Sequence, residues 1–415
     1  MNRGLGKAIV ASFSDDNTDV VRARFAPFEE RDWQRCTQWL HTSGLALYFF
    51  DRLRTLGLQD VIPDKTFDHL KESCAQNRVR TEDLFNEFVE INMELQRAKL
   101  CYANLKGFTL SPRSCPNPAL RYQHDLDFLV ARRDAEECRR VLERQGYRLF
   151  AVFGDTWEFR AGASEPGSLR KLYKVRSQRS LELHLVPDTE QGESDRQAGQ
   201  LSRLQLQVWN GFEFPALSER DKLLTQALHL FKHFQTEWTR TAWLLEYANA
   251  IRSHLDDTTF WRETVAAIEA EPEKKIGIGV SSLLVSRAFG VAPPAPFRSA
   301  TVDVLPERVR LWACHYEDEV VFIEFPGSKL YLLLQDVLMA NQPDWPSQRR
   351  KKLLPSRLPT TAIVAERSDD FWQQTQTTYT RLCFVWARLR FHVAAGLRYK
   401  IEAMRWKKFV AGFQA

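Results

Sequence analysis

The chain has 415 residues, 44% hydrophobic and 27% charged, the balance of an ordinary globular protein with room for two or three cores. Its formal net charge of +5 is mild for this length and does not by itself argue for a nucleic-acid partner. No run approaches the ~18 apolar residues of a membrane span, Met1 to Asp19 holds no signal-like apolar stretch, and the seven cysteines form no CxxC pair, which together point to a cytoplasmic protein with reduced thiols.

Residues 1–100 read as a helical N-terminal region. Trp33, Trp39 and Leu40 begin a periodic pattern, and Ile62-Pro63-Asp64 supplies a break and a helix start. From Phe67 to Leu100, apolar residues at three-to-four spacing indicate one or two long amphipathic helices. A strand-like run from Cys101 to Lys106 then ends in Gly107.

Residues 101–216 mix helix and strand signals, which indicates an α/β (α+β) core with a mixed sheet. A proline-rich loop (Ser111 to Pro118) precedes a strand-like segment, Arg121 to Val130, that carries Asp125 and Asp127. On a strand this spacing points both carboxylates to one face, roughly 6–7 Å apart, where they repel unless a cation bridges them. Arg133 to Gln145 is a helix with Ala135, Cys138, Val141 and Leu142 on one face, stopped by Gly146. Short strands are expected at Tyr147–Phe153, Thr156–Arg160, Leu172–Val175 and Leu181–Val186.

Residues 217–345 return to helix. Ser218 caps a helix over Lys222 to Phe234, and others are expected near 240–254, 258–271, 276–289 and 327–340. Residues 346–415 comprise an exposed linker at Arg349 to Pro359 and basic amphipathic helices over 369–412. Between Arg381 and Lys408, eight cations face Glu402 alone, interleaved with Phe384, Trp386, Phe391, Tyr399 and Trp406. Such a segment can lie on an anionic membrane surface, grip an acidic partner, or pack its apolar stripe with the charges solvated; the last is the favoured reading.

The chemistry gathers around the paired aspartates. A glycine after Lys106 lets backbone N–H groups approach a phosphate, and Lys106 itself either binds phosphate or caps a carboxylate. Arg121 is placed to reach phosphate oxygens. Glu182 and His184 share one strand face, with Leu181, Leu183 and Leu185 on the other. If that strand pairs beside the first, Glu182 completes a three-carboxylate cluster suited to Mg²⁺ or Mn²⁺, which orients an acceptor hydroxyl and neutralises a triphosphate. His184 is expected to support a ligand rather than be one, and His124 to face away as a structural residue. His229 and His233 have the i, i+4 spacing of zinc helices, but Leu230 stands where the catalytic Glu would be, so helix packing is the better account.

The run Leu105-Lys106-Gly107, then Arg121, Asp125-x-Asp127-x-Leu129-Val130, then Glu182-x-His184 resembles the uncharacterised nucleotidyltransferase family of the polymerase-β-like superfamily. The resemblance covers roughly residues 30–255 and takes in the Trp- and Leu-rich N-terminal helices. It implies a minimal nucleotidyltransferase sheet flanked by helices, with Asp125, Asp127 and Glu182 as metal ligands and Glu182 alternatively the base. Lys106, Gly107, Thr109 and Arg121 would contact the nucleotide. The superfamily's serine after the glycine is replaced here by Phe108 and then Thr109, so that contact must differ. The implied activity is Mg²⁺-dependent transfer of a nucleoside monophosphate from an NTP such as ATP to an acceptor hydroxyl of a small molecule, peptide, protein or RNA. The alternative is a catalytically degenerate nucleotide-binding or scaffold protein of the same fold.

Overall fold

In the computed structural model, residues 1–163, 172–186, 198–355, 362–363 and 371–413 are described. They build an eight-stranded mixed sheet: β1 (Tyr102–Leu105), β2 (Leu126–Ala131), β3 (Arg148–Phe153), β4 (Thr156–Ala161), β5 (Arg179–Val186), β6 (Leu204–Trp209), β7 (Phe212–Leu217) and the two-residue β8 (Ala362–Ile363). The spatial order is β6-β7-β1-β2-β5-β4-β3-β8. β2 lies antiparallel to β1 and parallel to β5, which puts two acid-bearing strands side by side at the sheet's centre.

Period-two patterning decides which side of that centre is dry. Phe128, Val130, Leu181, Leu183 and Phe159 are buried, and they share a core with Phe88, Ile91 and Leu95 of the long helix Asp64–Arg97 and with Cys138, Val141 and Leu142 of the helix Ala135–Arg144. The other face therefore carries the polar residues of the same strands. The helices that precede and follow the sheet share one large core, in which Trp33, Trp39, Phe49 and Leu53 pack with Leu230, Tyr247, Val280 and Trp312.

Three expectations change. The segment before β2 is not strand: the Asn77 amide donates to the Ala119 and Arg121 carbonyls and Arg80 to that of Gln123, which ties residues 119–123 to the long helix, so the strand starts only at Leu126. Asp125 thus stands just before it. Leu172–Val175 forms no strand, because Tyr173 turns into the helical core beside His41 at 3.0 Å. Arg349–Lys352 belongs to the helix Trp345–Leu353, anchored by Arg349 on Asp336, whereas residues 356–359 of the expected linker lie outside the described residues. A further hairpin, β6–β7, closes through an Asn210-Gly211 turn with both φ angles positive.

Candidate active site

Register assembles the acidic face. Asp127 of β2 pairs opposite Glu182 of β5, which pairs opposite Glu158 of β4, so three carboxylates line one row across three strands. One step along, His184 and Thr156 occupy the next row of the same face. Ligand atoms of Asp127, Glu182 and His184 all lie within 4.8 Å of one another. His184 Nε2 is 2.9 Å from Asp127 Oδ1 and 3.4 Å from Glu182 Oε2, and its Nδ1 is 3.3 Å from the Thr156 hydroxyl.

Lys106 completes the cluster from β1's end. Its ammonium reaches Asp127 Oδ1 at 2.8 Å. To do so its backbone sits at φ 51°, ψ −152°, a conformation L-residues rarely adopt and one that marks functional turns. Gly107 follows at φ 47°, and a Cβ there would lie 2.3 Å from the Gln123 amide, so the tight pass requires glycine. Phe108 is buried against Phe85 and Phe88, which explains why no serine stands there. Thr109 donates its hydroxyl to the Lys106 carbonyl at 2.7 Å and so braces the turn.

The electrostatics are those of a group short of positive charge. Burial, then the neighbouring charge of Asp127, pushes the Asp125 carboxyl well above the usual carboxylate range. Burial also raises Asp127, but Lys106 and the His184 hydrogen bond outweigh it and hold that carboxyl far below its ordinary value. Burial lowers His184, but the hydrogen bonds to Asp127 and Glu182 reverse this and raise it overall. The clustered donors are the buried Asp127 with Glu182 and His184 beside it and Lys106 on Asp127, a set that could hold a metal ion, with the half-buried Asp125 just before the strand.

Arg121 is placed elsewhere. Its guanidinium lies in the interior, with Nε 3.0 Å from Glu246 Oε1, an oxygen that also accepts the Tyr48 hydroxyl at 2.9 Å. Arg240 was not singled out in the sequence, yet it approaches the same region. Its guanidinium sits 5.3–5.5 Å from the ring centres of Tyr122, Trp238 and Trp243 and has no ion pair or side-chain hydrogen bond among the described residues. Burial lowers its pKa, and the field of Asp125 acts in the opposite direction. Beside it, a cavity of about 70 Å³ opens between β1 and the helices Glu219–Phe234 and Thr241–Arg252, lined by Lys106, Arg121, Gln226, His229, Trp243 and Glu246. His229 and His233 pack on each other and on Trp243. His124 lies next to Arg176, outside the acidic row. Glu158, Arg240 and Glu246 escape a sequence reading because only strand pairing and helix packing bring them to this place.

A family model described as an uncharacterised nucleotidyltransferase matches residues 29–273. No curated protein matches the chain. Among solved structures, the chain is similar to the antibiotic-resistance factor ANT(2'')-Ia, at 13% identity and a TM-score of 0.34, over 47% of this chain and 95% of that one. It is also similar to an antigenic nucleotidyltransferase-like protein from Paracoccidioides brasiliensis, at 13% identity and a TM-score of 0.29, over 53% of this chain and 94% of the other. Both structural likenesses are too loose to bear on individual residues.

Proposed function

We propose, from the premise that the chain belongs to the uncharacterised nucleotidyltransferase family, that it moves a nucleoside monophosphate from an NTP to an acceptor hydroxyl. The acceptor oxygen attacks the α-phosphorus, the bond to the bridging oxygen breaks, and pyrophosphate leaves. The observation that carries this reading is the row of Asp127 and Glu182, with His184 beside it and Lys106 pinned on Asp127. Asp125, Asp127 and Glu182 are the residues that would hold a divalent cation. Bound there, the cation would neutralise phosphate charge and orient the attacking hydroxyl.

The chain's own groups have separable roles. Lys106 balances Asp127 while no nucleotide is present and faces the phosphates when one is. Glu182, in the row beside Asp127, is alternatively the base that takes the acceptor's proton, with the cation then held by the aspartates. His184 orients Asp127 through their 2.9 Å contact. The phosphate contact expected of Arg121 falls to Arg240, because Arg121 is committed to Glu246 while Arg240 has no ion pair among the described residues. Gly107 and Thr109 give the loop its shape.

An NTP panel labelled on the α-phosphate, run with Mg²⁺ or Mn²⁺ against cell extract, tests the reading. Label should pass to an acceptor, and Asp125→Asn with Asp127→Asn should abolish transfer. If the protein neither binds nor turns over any NTP and the double variant behaves like the parent, the enzyme reading fails.

One observation favours the rival, a nucleotide-binding or scaffold protein that has lost turnover. Phe108 is buried and the Thr109 hydroxyl is already spent on Lys106, so this loop offers a triphosphate no free hydroxyl. A thermal shift with ATP that requires Mn²⁺, without label transfer to any acceptor, would identify that case.

A further inference from the structure

Over Val385–Phe413, the helix Phe371–Phe413 uses one side to pack on the body and leaves the other bare. His392, Tyr399, Trp406 and Val410 are buried, Tyr399 donates to Asp336 at 2.7 Å, and Arg388 and Arg398 pair with Glu237 and Glu319. That much agrees with an apolar stripe packed on the protein. The far side, however, presents Trp386, Leu389, Val393, Leu397, Ile401 and Met404, each 48–68% exposed. Spacings of three and four residues make these one continuous stripe along the helix. An exposed apolar stripe of that length marks a docking surface rather than ordinary solvated surface.

Charge says what docks. Arg390, Lys400, Lys407 and Lys408 lie in or beside the stripe, exposed and without an ion pair among the described residues. Between Val385 and Phe413 the sequence holds one acidic residue, Glu402, and Arg405 occupies it at 2.6 Å. A second copy of the helix is a poor occupant. The heptad that contains Trp386 and Val393 continues to Lys400 and Lys407, and its partner seam begins at Arg390, so parallel in-register self-pairing would bring three like charges into contact with their copies. A lipid surface resolves the same pattern, because apolar side chains enter the acyl boundary while Lys and Arg extend to anionic headgroups. No helix among the described residues is long and apolar enough to cross a membrane, so the geometry is one of lying on the surface.

We propose that the Val385–Phe413 face binds an anionic lipid surface and holds the enzyme against it. The inference stands apart from the catalytic reading, since none of these residues touches the acidic site. Sedimentation of the full-length protein with phosphatidylcholine vesicles, with and without phosphatidylglycerol, tests it. Binding should require phosphatidylglycerol and weaken as salt rises. Lys400→Gln with Lys407→Gln should lower the partition coefficient about 25-fold, since each cation near an anionic surface contributes roughly fivefold. Leu397→Glu with Ile401→Glu should abolish binding while the circular dichroism and unfolding midpoint stay at parent values. Equal binding to both vesicle types, or unchanged binding by both double variants, would overturn the proposal. So would a solution dimer that Leu397→Glu with Ile401→Glu converts to monomer, or binding to an acidic protein with none to vesicles.

Discussion

Lys106 holds a strained backbone in order to place an ammonium on Asp127, and this pairing makes two predictions. Removing the amine in Lys106→Met leaves Asp127 buried without its strongest compensating charge, so the unfolding midpoint should fall. Added Mn²⁺ should raise that midpoint by more in the variant than in the parent, because lysine and cation compete for one carboxylate; an equal shift in both would count against a cation site at Asp127. At Gly107, alanine meets both the Gln123 amide at 2.3 Å and an unfavourable positive φ. Gly107→Ala should destabilise the protein by about 1–3 kcal/mol, measured by urea unfolding. Arg240 makes the most direct test of nucleotide contact. Arg240→Ala should raise KM for the NTP about tenfold or more while leaving the fold intact, with Arg240→Lys intermediate because a lysine keeps the charge but loses the guanidinium's planar fork.

Among the elements, the loop before β2 and the helix Thr241–Arg252 are locked by Arg121 and Glu246. Both side chains are buried, and Tyr48 donates to the same Glu246 oxygen. A buried pair contributes little net stability when intact, but breaking it strands a charge, so Glu246→Ala should cost about 3–5 kcal/mol. Because this lock positions the residues that lead into Asp125, the same variant should also reduce nucleotide binding. Urea unfolding and an NTP-dependent thermal shift measure the two effects separately. The β6–β7 hairpin and the Ser218 cap are elements of another kind, set by adjacent residues. An Asn-Gly pair closes the hairpin, and the Ser218 hydroxyl accepts the Asp221 amide at 3.2 Å.

At the scale of the whole molecule, the shared helical core buries histidines that must stay neutral. Burial, reinforced by His69, brings His41 down to about 4, and burial with Lys232 does the same for His233. In the unfolded chain each takes a proton near pH 6.5. The folded state resists protonation until about pH 4, so the unfolded state binds more protons throughout that window and stability falls as pH falls through it. The loss should be roughly 1 kcal/mol per pH unit for each histidine. Urea unfolding at pH 7 and pH 5 measures it, and His41→Phe should flatten the slope.

The residues whose placement depends on near neighbours were legible before any fold was known. Asp127, Glu182-x-His184, the Lys106-Gly107 turn, the long amphipathic helix and the Ser218 cap all follow from spacings of one to four residues, which backbone geometry converts directly into shared faces and turns. Packing decided the rest. Asp125 lies off the strand because Asn77 and Arg80, on a helix more than 40 residues upstream, hold the preceding loop. Glu158 joins the acidic row through the β4–β5 register, and Arg121 spends its charge on Glu246, a partner 125 residues away. Arg240 becomes a candidate for phosphate contact only because three aromatic rings surround it without neutralising it. The sequence by itself determined which acidic and basic side chains this site has to work with, because side-chain type and local period are local quantities. Which charges remain free to meet a substrate was decided by tertiary structure alone, because burial and pairing are properties of the assembled fold.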